Sequence, residues 1–280
     1  MLSVLRGAEG WLARLLVDAP KRSAELLLGH VLGLSRLQLY LAHDRPLDPA
    51  ERDSMRALLV RRGKGEPVAY LLGTWSFRGL ELAVAPSVLI PRPETEELVE
   101  HALVGLPANA TVIDLGTGSG AIAIALAVAR PDVRVMAVDV SEAALAIAAS
   151  NVARHGVGDR VQLVRGSWWE PVPALAMFDL VVSNPPYIDP VDPTGLAADV
   201  QAFEPALALF SEPGDVASCY RSIFAPLAAR LRPGGSVWCE TGLGAAASAL
   251  RELRATTLID AELRCDLAGA ERFVCAKVPK

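Results

Sequence analysis

The fold class can be inferred from a glycine-rich segment, Asp114-Leu115-Gly116-Thr117-Gly118-Ser119-Gly120. Apolar runs flank it, one ending at Ile113 and one covering residues 122–129, which predicts a strand, a turn and a helix. Glycines let the chain turn sharply and let a ligand approach the backbone. Because ligands bind at the carboxyl ends of strands in an open α/β sheet, the pattern predicts a ligand site at this loop.

The sequence beyond the loop continues the alternation of strands and helices. Strands are predicted at 133–138, 161–164, 178–182 and 236–240, with a helix at 143–153 and a turn at Pro233-Gly234-Gly235. This order is typical of a mainly parallel sheet covered by helices on both faces. Residues 258–265 and 272–277 are joined only by a loop around Gly269, so they must pair antiparallel. The predicted fold class is α/β, a Rossmann-like sheet with a terminal antiparallel hairpin.

The amino-terminal part has a different pattern. Leucines and alanines recur at helical spacing in residues 11–16 and 24–32, and Asp48-Pro49-Ala50-Glu51 has the pattern of a capped helix start. Residues 75–90 alternate around Gly79 and predict a short β-hairpin. We therefore expect a small helical bundle at 1–74, a hairpin linker at 75–90 and the α/β domain at 91–280.

Composition narrows the classes of function. The net charge is −5, and the only dense basic run is Arg61, Arg62 and Lys64, which disfavours a stable nucleic-acid partner. The four cysteines show no CxxC spacing and the histidines are scattered, so no metal site is expected. No apolar stretch approaches the about 20 residues that cross a bilayer. With free thiols and no visible export signal, a cytoplasmic location without a membrane partner is expected.

Two cofactors fit the glycine loop. Gly116, Gly118 and Ala121 satisfy the dinucleotide pattern G-x-G-x-x-G/A, and Asp139 ends the next strand, where an acid accepts ribose hydroxyls. Asp114, however, resembles the first acid in the D-x-G-x-G-x-G pattern of class I methyltransferases. An acid there suits the cationic amino-acid end of S-adenosylmethionine better than a pyrophosphate. The resemblance implies S-adenosylmethionine as cofactor and S-adenosylhomocysteine as product.

The motif Asn184-Pro185-Pro186-Tyr187 follows the fourth predicted strand. The prolines fix two φ angles and hold the Pro185 carbonyl rigidly beside the side-chain carbonyl of Asn184. Two adjacent acceptors match the two N–H bonds of a planar amino group, and Tyr187 offers a flat surface for stacking. The motif is shared by methyltransferases that act on adenine, cytosine, guanine or glutamine, so it predicts a planar amino acceptor without identifying it.

Over nearly its whole length the chain resembles the HemK/PrmC family, the protein-(glutamine-N5) methyltransferases of peptide-chain release factors. The segments that carry the resemblance are 65–71 with Phe77, 89–96, 184–188, 203–205, and 266–269 with Arg272. The resemblance implies a cofactor site at Asp114, Gly116, Thr117, Gly118, Ser119, Gly120, Asp139, Trp168 and Asn184, and an acceptor clamp at Asn184, Pro185, Pro186 and Tyr187. Ser167 departs from the family, which often has an acid before the aromatic residue.

The resemblance also implies a reaction and a partner. The methyl group would pass to the side-chain amide nitrogen of glutamine in the Gly-Gly-Gln motif of a release factor, with the helical bundle as docking domain. A DNA or RNA amino-methyltransferase, acting on adenine or guanine, is the main alternative, and the acidic charge disfavours it. A dinucleotide-dependent oxidoreductase would leave residues 184–187 unexplained. A non-catalytic cofactor-binding module is disfavoured by the intact clamp.

Overall fold

The computed structural model describes residues 1–193 and 195–280. The chain divides into two compact units. One comprises Met1–Thr74 with Leu196–Phe203, and the other comprises Trp75–Gly195 with Glu204–Lys280. No helix within the described residues has both the length and the apolar character needed to cross a membrane.

The first unit is helical. Its helices within Met1–Thr74 are α1 (Leu2–Arg14), α2 (Pro20–Leu32), α3 (Arg36–Leu41), α4 (Pro49–Gly63) and α5 (Val68–Leu72). The helix start predicted at Asp48 is present: the Asp48 side chain accepts from Glu51 N at 2.8 Å, and Glu51 Oε2 accepts from Asp48 N at 3.0 Å. These bonds satisfy backbone donors that have no partner in the first turn. The core of the unit is formed by buried leucines and Met55.

The second unit contains a two-stranded and a seven-stranded sheet. In chain order, the remaining elements are β1 (Thr74–Phe77), β2 (Leu80–Ala83), α6 (Pro93–Leu103), β3 (Thr111–Leu115), α7 (Ala121–Ala129), β4 (Arg134–Asp139), α8 (Glu142–Arg154), β5 (Val161–Arg165), β6 (Phe178–Ser183), α9 (Ala198–Phe203, in the first unit), α10 (Ala206–Leu209), α11 (Ser218–Phe224), α12 (Leu227–Arg230), β7 (Leu231–Glu240), α13 (Ala246–Arg254), β8 (Ile259–Cys265) and β9 (Glu271–Lys277).

The large sheet has the strand order β5-β4-β3-β6-β7-β9-β8. Strands β5, β4, β3, β6 and β7 pair in parallel, whereas β9 pairs antiparallel with both β7 and β8. The predicted parallel sheet with a terminal antiparallel hairpin is therefore confirmed. The chain order reverses at β3, which has β4 on one side and β6 on the other. Such a reversal opens a crevice at the carboxyl ends of the strands, where ligands bind.

One predicted element differs in form. The turn at Pro233-Gly234-Gly235 is not outside the strand but lies within β7, where Gly234 has φ +78°. Strand β6 advances from Phe178 to Leu180 while β7 advances from Leu231 to Ser236, so the extra residues of β7 form an irregularity in the ladder. A bulge of this kind lets a strand keep its pairing on both sides of an insertion.

Gly120 at the start of α7 gives a stability prediction. Its φ is +82°, and a Cβ there would lie 3.0 Å from Ile124 Cδ1 and 3.3 Å from Ala148 Cβ. Left-handed backbone costs about 1–2 kcal/mol for a residue with a Cβ. Gly120→Ala is therefore expected to lower the free energy of unfolding by about 2 kcal/mol, measured by urea denaturation. The control is Gly244→Ala, where a Cβ meets no atom within 4 Å; equal urea midpoints for the two variants would contradict the prediction.

Candidate active site

A cavity of about 550 Å³ opens at the carboxyl ends of β3, β4 and β6. Small-molecule sites usually measure about 300–1,000 Å³. The residues predicted from the sequence that line this cavity are Gly116, Thr117, Gly118, Ser119, Asp139, Trp168, Asn184 and Pro186. The predicted residues that lie outside its lining are Asp114, Gly120, Pro185 and Tyr187.

The glycine loop is held open by backbone geometry. Gly116 and Gly118 have φ of +77° and +56°. The backbone N–H groups of Gly116 and Thr117 both donate to the Val138 carbonyl, at 2.9 and 3.0 Å, which ties the loop to the end of β4. A Cβ at Gly116 would lie 3.6 Å from the Trp168 ring, so this ring lies close to the loop. The loop and the ring form two walls of the same cavity.

Asp139 ends β4 and helps to hold the loop. Its Oδ2 accepts from Gly118 N and its Oδ1 accepts from Ser141 N, both at 2.8 Å. Partial burial raises the pKa of Asp139, and the two backbone hydrogen bonds oppose that rise. Each carboxylate oxygen can accept a second hydrogen bond, so both remain able to receive a hydroxyl from the cavity.

Asp114, predicted to contact the cofactor, lies behind the loop. Its side chain is fully buried, and its Oδ2 accepts from the Thr117 hydroxyl at 2.6 Å. Oδ1 has no hydrogen-bond partner within the described part of the chain. Burial raises the pKa of Asp114, and the Thr117 hydrogen bond opposes part of this rise, so that the pKa is about 7. The Asp114 side chain is therefore bonded to Thr117 and does not face the cavity.

The acceptor motif is joined to two residues that were not among the predicted site residues, Thr95 and Glu240. Asn184 Nδ2 donates to Thr95 Oγ1 at 3.2 Å, and the Thr95 hydroxyl donates to Glu240 Oε2 at 2.6 Å. Thr95 lines the cavity beside Asn184. Glu240 could have been recognised in the sequence as a charged residue at the end of a buried strand. Thr95 could have been recognised because it lies within the segment 89–96 that carries the family resemblance.

Of the three aromatic residues near the site, Tyr187 and Trp169 pack against the protein interior, whereas Trp168 lines the cavity. Tyr187 lies against the chain after β7, since a Cβ at Gly242 would come within 2.6 Å of its ring. Burial raises the pKa of the Tyr187 phenol, and Glu240 adds to that rise. Trp169 packs against the core and donates its ring N–H to the Ile223 carbonyl at 3.0 Å. Ser167 lines the cavity beside Trp168.

Glu204 is a further buried acid that was not among the predicted site residues. Its side chain is 1% exposed, and it accepts from Arg92 Nη2 at 2.5 Å and from Ile90 N at 3.0 Å. These bonds tie the chain before α6 to the chain before α10. Residues next to both ends of this link, Pro91 and Pro205, line the cavity, so the ion pair holds two of its walls together.

The described residues contain no group of three or more His, Cys, Asp or Glu placed to hold a metal ion.

Glu240 makes stability depend on pH. Burial raises its pKa from the ordinary 4.5 to about 7. Between these values the unfolded chain releases the proton and the folded chain retains it, so stability present below pH 4.5 is lost as pH rises to about 7. Relative to Glu240→Gln, the wild-type free energy of unfolding should fall by about 3 kcal/mol over this window. Denaturant titrations of both proteins at pH 5 and 8 measure it, and an unchanged difference would refute the prediction.

The sheet order, the glycine loop after β3 and the acid after β4 define a class I methyltransferase. Two solved structures share the fold. One is the 16S rRNA N2 G1207 methyltransferase of T. thermophilus, with TM-score 0.53 and 21% identity over 73% of this chain and 49% of that chain. The other is a methyltransferase from Pyrococcus furiosus, with TM-score 0.51 and 16% identity over 80% of this chain and 98% of that chain.

Sequence relatives identify the family. Residues 3–73 match the PrmC N-terminal domain and residues 95–217 match the methyltransferase small domain. The release factor glutamine methyltransferase of Nitratidesulfovibrio vulgaris is 42% identical over 98% of this chain and 94% of its own length. That of Bordetella pertussis is 47% identical over 91% of this chain and 93% of its own length. The chain belongs to the family of release factor glutamine methyltransferases, which confirms the resemblance seen in the sequence.

Proposed function

We propose that this enzyme transfers the methyl group of S-adenosylmethionine to the side-chain amide nitrogen of the glutamine in the Gly-Gly-Gln motif of a peptide-chain release factor. The observation that carries the proposal is identity of 42–47% with release factor glutamine methyltransferases over more than nine-tenths of the chain. The glycine loop and Asn184 line one cavity, as methyl transfer between neighbouring ligands requires.

The cofactor side of the cavity is proposed to be the loop Gly116–Gly120 with Asp139 and Trp168. Asp139 would accept the ribose hydroxyls with the lone pairs that Gly118 and Ser141 leave free. Trp168 would pack on the adenine, since its ring lies along the wall formed by Gly116. The bound cofactor supplies a methyl group on a sulfonium, which is activated by the positive charge.

The acceptor side is proposed to be Asn184 with the Pro185 carbonyl, Pro186 and Tyr187, of which Asn184 and Pro186 line the cavity and the other two adjoin them in the chain. An amide nitrogen is a weak nucleophile because its lone pair is delocalised into the carbonyl. Hydrogen bonds from its N–H groups to two fixed acceptors raise electron density on nitrogen and stabilise the positive charge that develops there. Alignment of the reacting atoms can contribute about 7–11 kcal/mol in the best cases. The proton then released from nitrogen passes to water.

We also propose the protein partner and its docking domain. The helices at 1–74 would bind the release factor, because they form a compact unit together with Leu196–Phe203 and residues 3–73 match the PrmC N-terminal domain. A stable nucleic-acid partner is not expected at a net charge of −5. An enzyme that modifies a factor of translation termination would act in the cytoplasm.

A methyl-transfer assay tests the function. Labelled S-adenosylmethionine is offered with a purified release factor, with the same factor carrying the Gly-Gly-Gln glutamine replaced by glutamate, and with duplex DNA. Label on the intact factor alone is expected. Label on DNA, or on the factor that lacks its glutamine, would reject the proposed acceptor.

A further inference from the structure

Thr95 links the acceptor motif to a buried carboxylate. It lies in the first turn of α6 and is 4% exposed, while Glu240 is the last residue of β7 and is 1% exposed. The hydroxyl lies 2.6 Å from Glu240 Oε2 and 3.2 Å from Asn184 Nδ2. Thr95 and Asn184 line the cavity, whereas Glu240 lies behind them.

The chain of hydrogen bonds has a direction because a hydroxyl carries one proton. When Thr95 donates that proton to the Glu240 carboxylate, its oxygen can only accept, so the group facing it must be the NH2 of Asn184. The carbonyl oxygen of Asn184 is then the end of the amide that is left for a ligand in the cavity.

Protonation of Glu240 would reverse the direction. A neutral Glu240 can donate its own proton to Thr95, which frees the Thr95 proton for Asn184. The Asn184 amide would then turn its carbonyl toward Thr95 and its NH2 toward the cavity. Two NH2 groups facing each other cannot form a hydrogen bond, so a glutamine amide would lose one of its two acceptors.

We propose that Thr95 and Glu240 are positioning residues that keep the carbonyl end of the Asn184 amide toward the acceptor amide. This inference rests on the proposed function, because it concerns how the clamp distinguishes an N–H donor. In this proposal the carboxylate form of Glu240 sets the orientation of the Asn184 amide through Thr95. Glu240 itself does not contact the substrate.

The surroundings of Glu240 permit both protonation states near neutral pH. Burial raises its pKa to about 7, and the neighbouring charges act in both directions. Arg272 on β9 and Arg92 before α6 favour the carboxylate, whereas Glu94 on α6 disfavours it. The phenols of Tyr187 and Tyr220 also face it, and the Tyr220 hydroxyl donates to the Glu240 backbone carbonyl at 3.0 Å. The clamp is therefore expected to reach its active orientation as pH rises through about 7.

Kinetics of Thr95→Val and Thr95→Ser on the release factor provide the first test. Valine keeps the shape but removes the hydroxyl, so kcat should fall by up to about a hundredfold, as for misplaced reacting groups. The dissociation constant of S-adenosylmethionine, measured by calorimetry, should not change. Serine keeps the hydroxyl and should restore most of kcat together with its rise near pH 7. Wild-type kcat in Thr95→Val, or a folded Thr95→Ser as impaired as the valine variant, would overturn the proposal.

A spectroscopic test needs no turnover. The NMR signals of the Asn184 side-chain NH2, identified by their loss in Asn184→Asp, should shift with pH near 7 in the wild-type enzyme. The same signals should keep constant chemical shifts near pH 7 in Thr95→Val and Glu240→Gln. Chemical shifts that do not change with pH in the wild-type enzyme would overturn the proposal. If the wild-type enzyme transferred no methyl to the release factor, the proposed function would fail, and the titration of this amide would still decide the link between Asn184 and Glu240.

Discussion

Replacing Asn184 with alanine is expected to lower kcat on the release factor by about a hundredfold to a thousandfold, the range found when one fixed polar group at a reacting centre is removed. The side chain supplies one of the two proposed acceptors for the glutamine amide, and its Nδ2 is bonded to Thr95. The dissociation constant of S-adenosylmethionine should change little, because Gly118, Asp139 and Trp168 lie on other walls of the cavity. Single-turnover methyl transfer and calorimetry measure the two quantities separately.

The matched control for this variant is Asn109→Gly. Asn109 is exposed and has φ +56°, a conformation that glycine adopts freely, so loss of its side chain should leave kcat and cofactor affinity unchanged. If Asn184→Ala weakened cofactor binding as much as it lowered kcat, Asn184 would belong to the cofactor site rather than to the acceptor clamp.

Asp139→Ala is expected to act on the cofactor instead. Loss of two charge-assisted hydrogen bonds to ribose, each contributing about 1.5–3 kcal/mol, should raise the dissociation constant of S-adenosylmethionine by roughly two to four orders of magnitude. The variant also removes the acceptors of Gly118 N and Ser141 N, so the glycine loop loses one of its hydrogen bonds to the end of β4 and keeps those from Gly116 and Thr117 to the Val138 carbonyl. At saturating cofactor, kcat should recover much more than it does in Asn184→Ala.

Calorimetric titration measures the affinity for S-adenosylmethionine. Two further variants test whether the loss of affinity is caused by the Asp139 carboxylate. Asp159→Ala removes an exposed acid of the same domain and should leave the dissociation constant unchanged. Asp139→Asn keeps the shape and one acceptor oxygen, so its affinity should lie between those of the wild-type protein and Asp139→Ala. Unchanged affinity in Asp139→Ala would remove Asp139 from the proposed ribose site.

The sequence predicts the loop, the acid and the clamp because each is a local pattern attached to a strand end. The alternation of strands and helices requires parallel pairing, and parallel pairing brings the carboxyl ends of β3, β4 and β6 to one edge of the sheet. Gly118, Asp139 and Asn184 therefore had to lie near one another, and all three line the cavity. The family resemblance rested on the clamp together with further segments at 65–71, 89–96, 203–205 and 266–269.

Side-chain direction was less predictable. Asp114 belongs to the same motif as Gly116, yet its carboxylate points away from the cavity and holds Thr117. Tyr187 belongs to the acceptor motif, yet its ring packs against Gly242 after β7. A motif fixes residue types and spacing, but the direction of each side chain depends on what packs behind the loop.

The sheet could be predicted correctly from the sequence, and a ligand site and the chemistry of its motifs could be inferred, because these depend on periodicity and on residues that are close in the chain. The distant residues that support the proposed site became visible only in the folded chain. Thr95 is separated from Asn184 by 89 positions and from Glu240 by 145, and Glu204 is separated from Arg92 by 112. Hydrogen bonds over such separations form only when packed strands and helices bring the partners within about 3 Å, and no local pattern records that distance.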